Sequence, residues 1–489
     1  MTGLGPAASK SQQSKTEHKV HGAHDVALPK SRRTLDPLDL ALLCFLSPQT
    51  DEVSVQEAKT LASLPARSFL VGTAKRDITP LRDGLWLAGH SRARKSEGVR
   101  DPLSVRTLYL SDGKVELSLN SLDLVGLRKI HVDEIRGRVQ GIIPADGVLV
   151  FATHTHSGPD TIGYWGPRLV GCVPLRSGID PEYLERVQSQ TVATIQEARD
   201  RAVPARAFAA CAEMPPERTR NLRRDRFKED NIYVLQFLDE RGETVGVLSN
   251  YPCHPEMLGR DNLRVSADFV ADVHRVVEAE LGGLSIFLQQ ALGGMGSGGA
   301  LGQEASLDAS EGDSAAKVLG QTLGDGILEA IRRRRRPIDP LAPIRFVRRE
   351  FTVPFRNRRL RLACRLGLLP ASAEELRGRM VRTETSWIEF GPVRMVTVPG
   401  EPLPEVGFQI QAILNCPYPF VLSLGCDELG YILPRQYAGR KAYRYENSMS
   451  LGPDLTEKLL EELRQMVLEG TERASDRNFP HRFALEGRP

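Results

Sequence analysis

Val148-Leu149-Val150-Phe151-Ala152-Thr153-His154-Thr155-His156-Ser157-Gly158-Pro159 carries the reading of this chain. Its apolar start has the length and composition of a buried strand. Successive strand side chains point to opposite faces, so His154 and His156 are expected on one face at the strand end. Gly158-Pro159 then breaks the element. Two imidazoles side by side at such a point suit a metal site or an acid/base pair. A strand end that merely carries two histidines is the plainer alternative.

Outward from this stretch, strands and helices alternate. Phe69 to Ala74 reads as a strand. Val105 to Leu110 and Val115 to Asn120 read as a hairpin around Ser111-Asp112-Gly113-Lys114. A helix is expected over 128–140. Further strands are expected at 232–238, 245–251, 284–289, 344–353, 393–399 and 419–425, and helices at 182–203, 269–281, 313–335 and 454–469. This order gives an α/β fold with mixed β-sheets flanked by helices. The expected organisation is a loosely packed or disordered leader over 1–67, one domain over 68–475 and a tail over 476–489. In the leader, His18, His21 and His24 read as solvated, and Leu40 to Leu46 as a short packing helix.

Composition excludes several classes. Of 489 residues, 41% are hydrophobic and 26% charged, which fits a globular chain with a sizeable core. Basic and acidic residues number 65 and 62, a balance that does not suggest a nucleic-acid binder. The seven cysteines are scattered and odd in number, so reduced thiols are expected rather than a disulfide framework. No apolar run approaches the ~20 residues of a membrane span. With no signal peptide in view either, a cytoplasmic location is expected.

One charge run stands out. Arg332 to Arg336 ends a helix, where cations complement the helix dipole. More arginines follow between Arg345 and Arg365. A solvated face is the first reading of the 332–365 region, and peripheral contact with an anionic membrane surface or an acidic substrate the second.

Several chemistry-bearing residues follow apolar runs. His154 follows 147–153, His254 follows 247–251, Glu401 follows 396–400, and Tyr431 follows 420–424 and Gly430. Loops beyond the carboxyl ends of strands are where α/β sheets bind ligands. Two imidazoles, a carboxylate and a phenolic oxygen suit zinc. Spacing alone does not single these four out.

Several separate motifs, in order, resemble the neutral/alkaline (non-lysosomal) ceramidase family. They are Gly72 to Pro80, Asp101-Pro102-Leu103, Thr153 to Pro159, Cys253-His254-Pro255 with Ser266-Ala267-Asp268, Val398-Pro399-Gly400-Glu401, and Tyr431-Ile432 through Arg444-Tyr445-Glu446. The resemblance runs from about Val71 to about Gly470. It implies a catalytic Zn2+ held by His154, His254, Glu401 and Tyr431. It implies that His156 and Tyr445 help polarise the substrate carbonyl. The family's substrate-facing Asn-Arg element matches Arg223, with Arg220 as the alternative.

The chain also departs from the family pattern. Leu292-Gly293-Gly294-Met295-Gly296-Ser297 stands where the family has a Gly-Asp-x-Ser-Pro-like loop. Gly294 takes the aspartate position and Gly296 the serine position, with Ser297, one place later, as the candidate catalytic replacement for that serine. A glycine-rich loop here reads as a flexible pocket wall. The family's C-terminal β-sandwich domain and secretion signal are not found.

The expected activity is zinc-dependent hydrolysis of an N-acyl amide bond in a lipid-like or other small substrate. Ester or lactone hydrolysis, or acyl transfer in a biosynthetic pathway, is the alternative, and a non-catalytic binding protein the third reading. Asp268 is a base candidate by its place in the family pattern but reads better as a helix cap. His90 is a candidate pocket residue. His131 and His274 read as surface or core-edge histidines, and Cys253 as a packing residue.

Overall fold

The strands that carry the candidate residues belong to two sheets packed face to face, and why they pair explains where those residues meet. The computed structural model describes residues 69–90, 93–169, 173–224, 227–297 and 309–475. The leader 1–67 with His18, His21, His24 and Leu40 to Leu46, and the tail 476–489, lie outside the described residues.

The large sheet comprises β1 (Phe69–Asp77), β2 (Ser104–Ser111), β3 (Glu116–Leu122), β4 (Val148–Ala152), β5 (Val203–Glu213), β6 (Asn231–Asp239), β7 (Thr244–Tyr251), β8 (Leu284–Gln289) and the short β9 (Arg336–Pro337). Its order is β8-β7-β6-β5-β1-β2-β3-β4, with β9 on β5. The small sheet comprises β10 (Arg345–Pro354), β11 (Met380–Phe390), β12 (Val393–Thr397) and β13 (Tyr418–Leu422), in that order. Three pairs are parallel: β3 with β4, β7 with β8, and β12 with β13. Parallel strands bury both faces, which is why β4 is apolar throughout and buried at every position.

Alternation in the small sheet assigns its faces. Ile388, Phe390, Met395, Phe420 and Leu422 point into the core shared with the large sheet. Trp387, Val396 and Val421 point the other way, as period-two side chains must. There they meet α6 (Pro404–Leu414) and α7 (Asp454–Ser475) through Ile410, Leu414, Leu459 and Leu463. On the large sheet, α1 (Lys129–Arg138) and α2 (Pro181–Asp200) supply Val132, Ile135, Val187 and Ile195 to the main core. α3 (Phe269–Leu281) and α4 (Ala309–Arg334) cover Ile232, Val234, Val247 and Phe287. The α/β class with mixed sheets flanked by helices is what the structure shows.

Most expected elements form within a few residues of their expected bounds. The longest elements that were not expected are β5, β11 and α6. β11 hides because its central residues, Thr383, Glu384, Thr385 and Ser386, are polar yet fully buried. Each of the first three finds a tertiary partner. Thr383 bonds Asp427, Thr385 bonds the Thr397 carbonyl, and Glu384 pairs with Arg136. No sequence pattern announces those partners.

The two ends of the large sheet are drawn together. Ser121 Oγ donates to Phe287 O at 2.7 Å. Gln289, at the end of β8, donates from Nε2 to Thr153 O and Cys253 O, both at 2.8 Å. One buried amide thus ties the loop after β4 to the loop after β7.

Candidate metal centre

The first histidine pair owes its position to a backbone turn, not to strand alternation. β4 ends at Ala152, and the parallel pairing closes with Thr153 N to Leu122 O and His154 N to Leu124 O, both 2.8 Å. His154 then adopts φ 69°, in the left-handed region that a β-carbon disfavours. Such strain is held only where its surroundings enforce it. His154 Nδ1 donates to Val125 O at 2.6 Å, which leaves Nε2 as the free lone pair. The His154 and His156 ring centroids lie 5.0 Å apart.

His254 arrives from the end of β7 in the same manner. Its Nδ1 donates to Met295 O at 2.6 Å, again leaving Nε2 to face the site. Its ring centroid is 4.9 Å from that of His154 and 5.5 Å from that of His156. Cys253 is fully buried, as expected of a packing residue.

The small sheet brings the oxygen donors. Beyond the parallel pair β12 and β13, the short strands Glu401–Pro402 and Tyr431–Ile432 pair in parallel, with Glu401 opposite Tyr431. Gly430 is obligatory there. Its φ is 78°, and a β-carbon would sit 1.8 Å from Met449 O. Glu401 Oε2 reaches 3.2 Å from His254 Nε2 and 3.5 Å from His154 Nε2.

The glycine loop is not a flexible wall over the part that is described. A β-carbon on Gly293 would lie 2.6 Å from Glu401 O, so the glycine lets this backbone pack directly on the glutamate strand. Met295–Ser297 pairs with Thr219–Asn221, and this segment supplies the Met295 carbonyl that orients His254. The Ser297 backbone lies opposite Thr219, while its side chain lies outside the described residues.

Electrostatics favour a positive charge between these donors. Burial alone would lower the His154 pKa, but the Glu401 carboxylate outweighs it and lifts the imidazole to about 9. Burial would raise Glu401, and the two imidazoles instead hold it well below the usual carboxylate range. Burial and the neighbouring imidazoles depress His156, leaving it neutral, and its Nδ1 is buried without a partner 3.7 Å from Glu256. Burial, then Glu401, raises the Tyr431 phenol.

A divalent ion fits this donor set. A tetrahedral ion with ~2.1 Å bonds holds its ligand atoms about 3.4 Å apart, against the observed 3.2 and 3.5 Å around Glu401 Oε2. The nitrogens of His154, His156 and His254 also lie within 4.8 Å of one another, a looser grouping.

His154, Glu401 and Tyr431 open onto a cleft of about 90 Å3. Its walls include His154, His156, Glu401, Tyr431 and Tyr445, then Trp165, Phe355, Leu360 and Leu451. Tyr445 is about half exposed, with its ring 5.7 Å from Tyr431. Arg223 is not part of the cleft wall. Its Nε donates to Glu446 Oε1 at 2.7 Å, beside Tyr445 in sequence. Arg220 is exposed on the neighbouring short strand.

The remaining candidates are also placed. Asp268 caps α3, accepting from Phe269 N at 2.7 Å and Leu258 N at 3.1 Å. The His90 ring stands 5.2 Å from that of His156. His131 sits at the core edge beside Glu134. His274 is not a surface residue, because its helix face packs on the sheet and its Nδ1 meets Ser285 Oγ at 3.0 Å.

Glu428 and Glu256, buried acids near the site, escaped the sequence reading. Glu428 lines the cleft, accepts from Gly430 N at 2.8 Å, and leaves Oε2 without a partner. Burial, then Glu401, lifts it to about 8. Burial lifts Glu256 to about 7. An acid in a loop carries no periodic signal, so only the fold reveals them.

No family profile matches the chain. It is 24% identical over 233 residues to the neutral ceramidase of Pseudomonas aeruginosa, a match covering 42% of this chain. The match spans about a third of that relative's length, 33%. The crystal structure of neutral ceramidase from Pseudomonas aeruginosa superposes with a TM-score of 0.70 at 17% identity, covering 84% of this chain and 75% of that one. A structure described as ceramidase complexed with C2 gives 0.69 at 16% identity, covering 83% and 76%. The chain has a neutral ceramidase-like domain. Among the described residues, no helix is long and apolar enough to cross a membrane.

Proposed function

We propose that this chain is a metal-dependent amidohydrolase that opens an N-acyl amide bond in a lipid-like or small substrate. One observation carries the reading. Two imidazole Nε2 atoms, each fixed from behind by a carbonyl, face one carboxylate oxygen at 3.2 and 3.5 Å on a cleft wall. The likeness to neutral ceramidase supplies the bond type, an amide between an acyl chain and an amine.

His154, His254, Glu401 and Tyr431 would hold the ion, and this nitrogen and oxygen set suits Zn2+. A bound zinc ion lowers the pKa of a water towards ~7 and polarises an acyl carbonyl. The chain's own residues do the rest. His156 is neutral and can donate to the acyl oxygen as negative charge grows there. Tyr445 approaches from the mouth of the cleft to offer a second donor. Arg223 acts through Glu446 to hold the Tyr445 segment, a positioning role. Glu428 Oε2, on the cleft wall, holds a proton for the departing nitrogen. None of these roles requires a serine nucleophile, so the glycine loop is compatible with the chemistry.

The cleft sets the substrate's shape. At about 90 Å3 it is small beside the roughly 300–1,000 Å3 of pockets that swallow a whole ligand. It takes the amide and its nearest carbons, and any longer chain lies along Phe355, Leu360 and Leu451.

Metal analysis of the purified chain, followed by a product screen on matched amides and esters, tests this. One zinc per chain, with amine release that stops on chelation, is the expected result. A metal-free chain, or turnover indifferent to chelators, overturns it. Cleavage of the esters alone moves the chain to the esterase reading. His156→Ala is expected to keep the ion and lose turnover. Loss of the ion would place His156 among the ligands.

A further inference from the structure

The arginine-rich region 332–365 divides in two once its partners are known. Arg332 and Arg333 pair with Glu280 and Glu329, and Arg345, Arg348 and Arg349 pair with Glu389, Glu384 and Glu462. These arginines are committed to the body of the protein. The second half is different. Phe355 to Ala371 contains five arginines and neither Asp nor Glu. Arg356 pairs with Asp454, and among the described residues no carboxylate pairs with Arg358, Arg359, Arg361 or Arg365.

Those four arginines lie on α5 (Arg358–Arg365), capped by Asn357. The helix has two faces. Leu360 and Cys364, one turn apart, line the cleft that leads to the candidate metal centre. Leu362 and, just past the helix end, Leu366 are also one turn apart, and they stand 56% and 64% exposed. Exposed leucines among unpaired arginines are the pattern of a helix that lies in a lipid interface. The leucines enter the acyl boundary while the guanidiniums reach the headgroups. Beside the helix, Arg356, Arg358, Arg359 and Arg444 line an open basin of about 450 Å3, and Leu451 belongs to both basin and cleft.

We propose that α5 and Leu366 dock this protein on an anionic lipid surface, with the cleft mouth at the interface. Charge decides the occupant. A neutral apolar partner would bury guanidiniums that no carboxylate neutralises, whereas an anionic bilayer pairs them at its headgroups. The small cleft fits this placement, because the chains of a lipid substrate need not leave the membrane to bring the amide to the site. The inference deepens the proposed lipid-like substrate and rests on it only for its purpose. Vesicle binding needs no turnover, so the two readings fail separately.

The test is co-sedimentation of the full chain with vesicles of phosphatidylcholine, alone or mixed with phosphatidylserine. The expected result is binding to the mixed vesicles that weakens with salt. L362Q with L366Q should weaken that binding about tenfold or more. R358Q and R359Q should each weaken it about fivefold. Melting temperature and turnover of a short soluble amide should stay unchanged, since none of these side chains lines the cleft. Equal binding by variants and wild type would overturn the proposal. So would a wild-type chain that ignores phosphatidylserine, and that outcome would leave the face to a protein partner.

Discussion

Glu384 and Glu401 are both buried carboxylates held below their usual pKa, yet they serve different ends. Glu384 is fully buried and receives Arg136 in a bidentate pair at 2.7 and 2.8 Å, with Arg348 at 2.6 Å and Lys129 at 3.0 Å. Burial would raise its pKa, but these cations outweigh that. Its partners keep their charge and have nowhere to go. Arg136 also holds Val148 O, so this cluster fixes the base of β4. Glu401 instead faces two imidazoles, whose ring nitrogens can present a lone pair, and opens onto a cleft. A carboxylate whose partners are guanidiniums builds the scaffold. One whose partners are imidazoles on a cavity wall is available to a metal.

Exchanging each carboxylate for its amide breaks this comparison. Residues that merely support metal ligands already cost about 10–100-fold in metal affinity when changed. Glu401→Gln, a ligand in the proposed site, is expected to cost more than that in zinc affinity by competition titration, with a small change in melting. Glu384→Gln is expected to do the reverse. It leaves buried cations unmatched and costs about 3–5 kcal/mol in denaturant unfolding, while the folded fraction keeps its zinc. Similar effects of the two changes would erase the distinction.

Acid sharpens it further. The folded pKa of Glu384 lies below its unfolded value, so its contribution to stability is complete above about pH 5 and is lost as pH falls through and below ~4.3. The stability gap between wild type and Glu384→Gln should narrow between pH 6 and pH 3 as measured by urea unfolding, and a constant gap would contradict the pairing. The smallest expected effect is Gly293→Ala. Its β-carbon meets Glu401 O at 2.6 Å and Pro402 O at 2.8 Å, so the backbone must shift, at about 1–3 kcal/mol. Zinc occupancy should fall with it, because the same segment orients His254. An alanine variant with unchanged stability and metal content would show that the loop tolerates movement.

Much of this was legible in the chain. The apolar run of β4, the hairpin of β2 and β3, and the helical periods of α2 and α3 are local patterns, and local patterns fix local structure. His154, His254, Glu401 and Tyr431 were named only by the family resemblance, not by spacing. β11 was not legible, because its buried Thr, Glu and Ser residues read as solvent-facing until Arg136, Asp427 and Thr397 are seen opposite them. Glu428 and Glu256 were not legible either, since an acid in a loop reads as solvated.

The sequence by itself offered imidazoles, a carboxylate and a phenol at strand ends as candidate metal ligands. Only the tertiary structure decided that His154, His254 and Glu401 face one point. Two carbonyls far along the chain, Val125 O and Met295 O, set the histidine tautomers. A parallel pairing aligned Glu401 with Tyr431, and a positive φ rather than strand alternation turned His154 inward. The physical reason is range: periodicity reports a side chain's relation to its neighbours in the chain, whereas these hydrogen bonds and pairings join segments that only folding brings together.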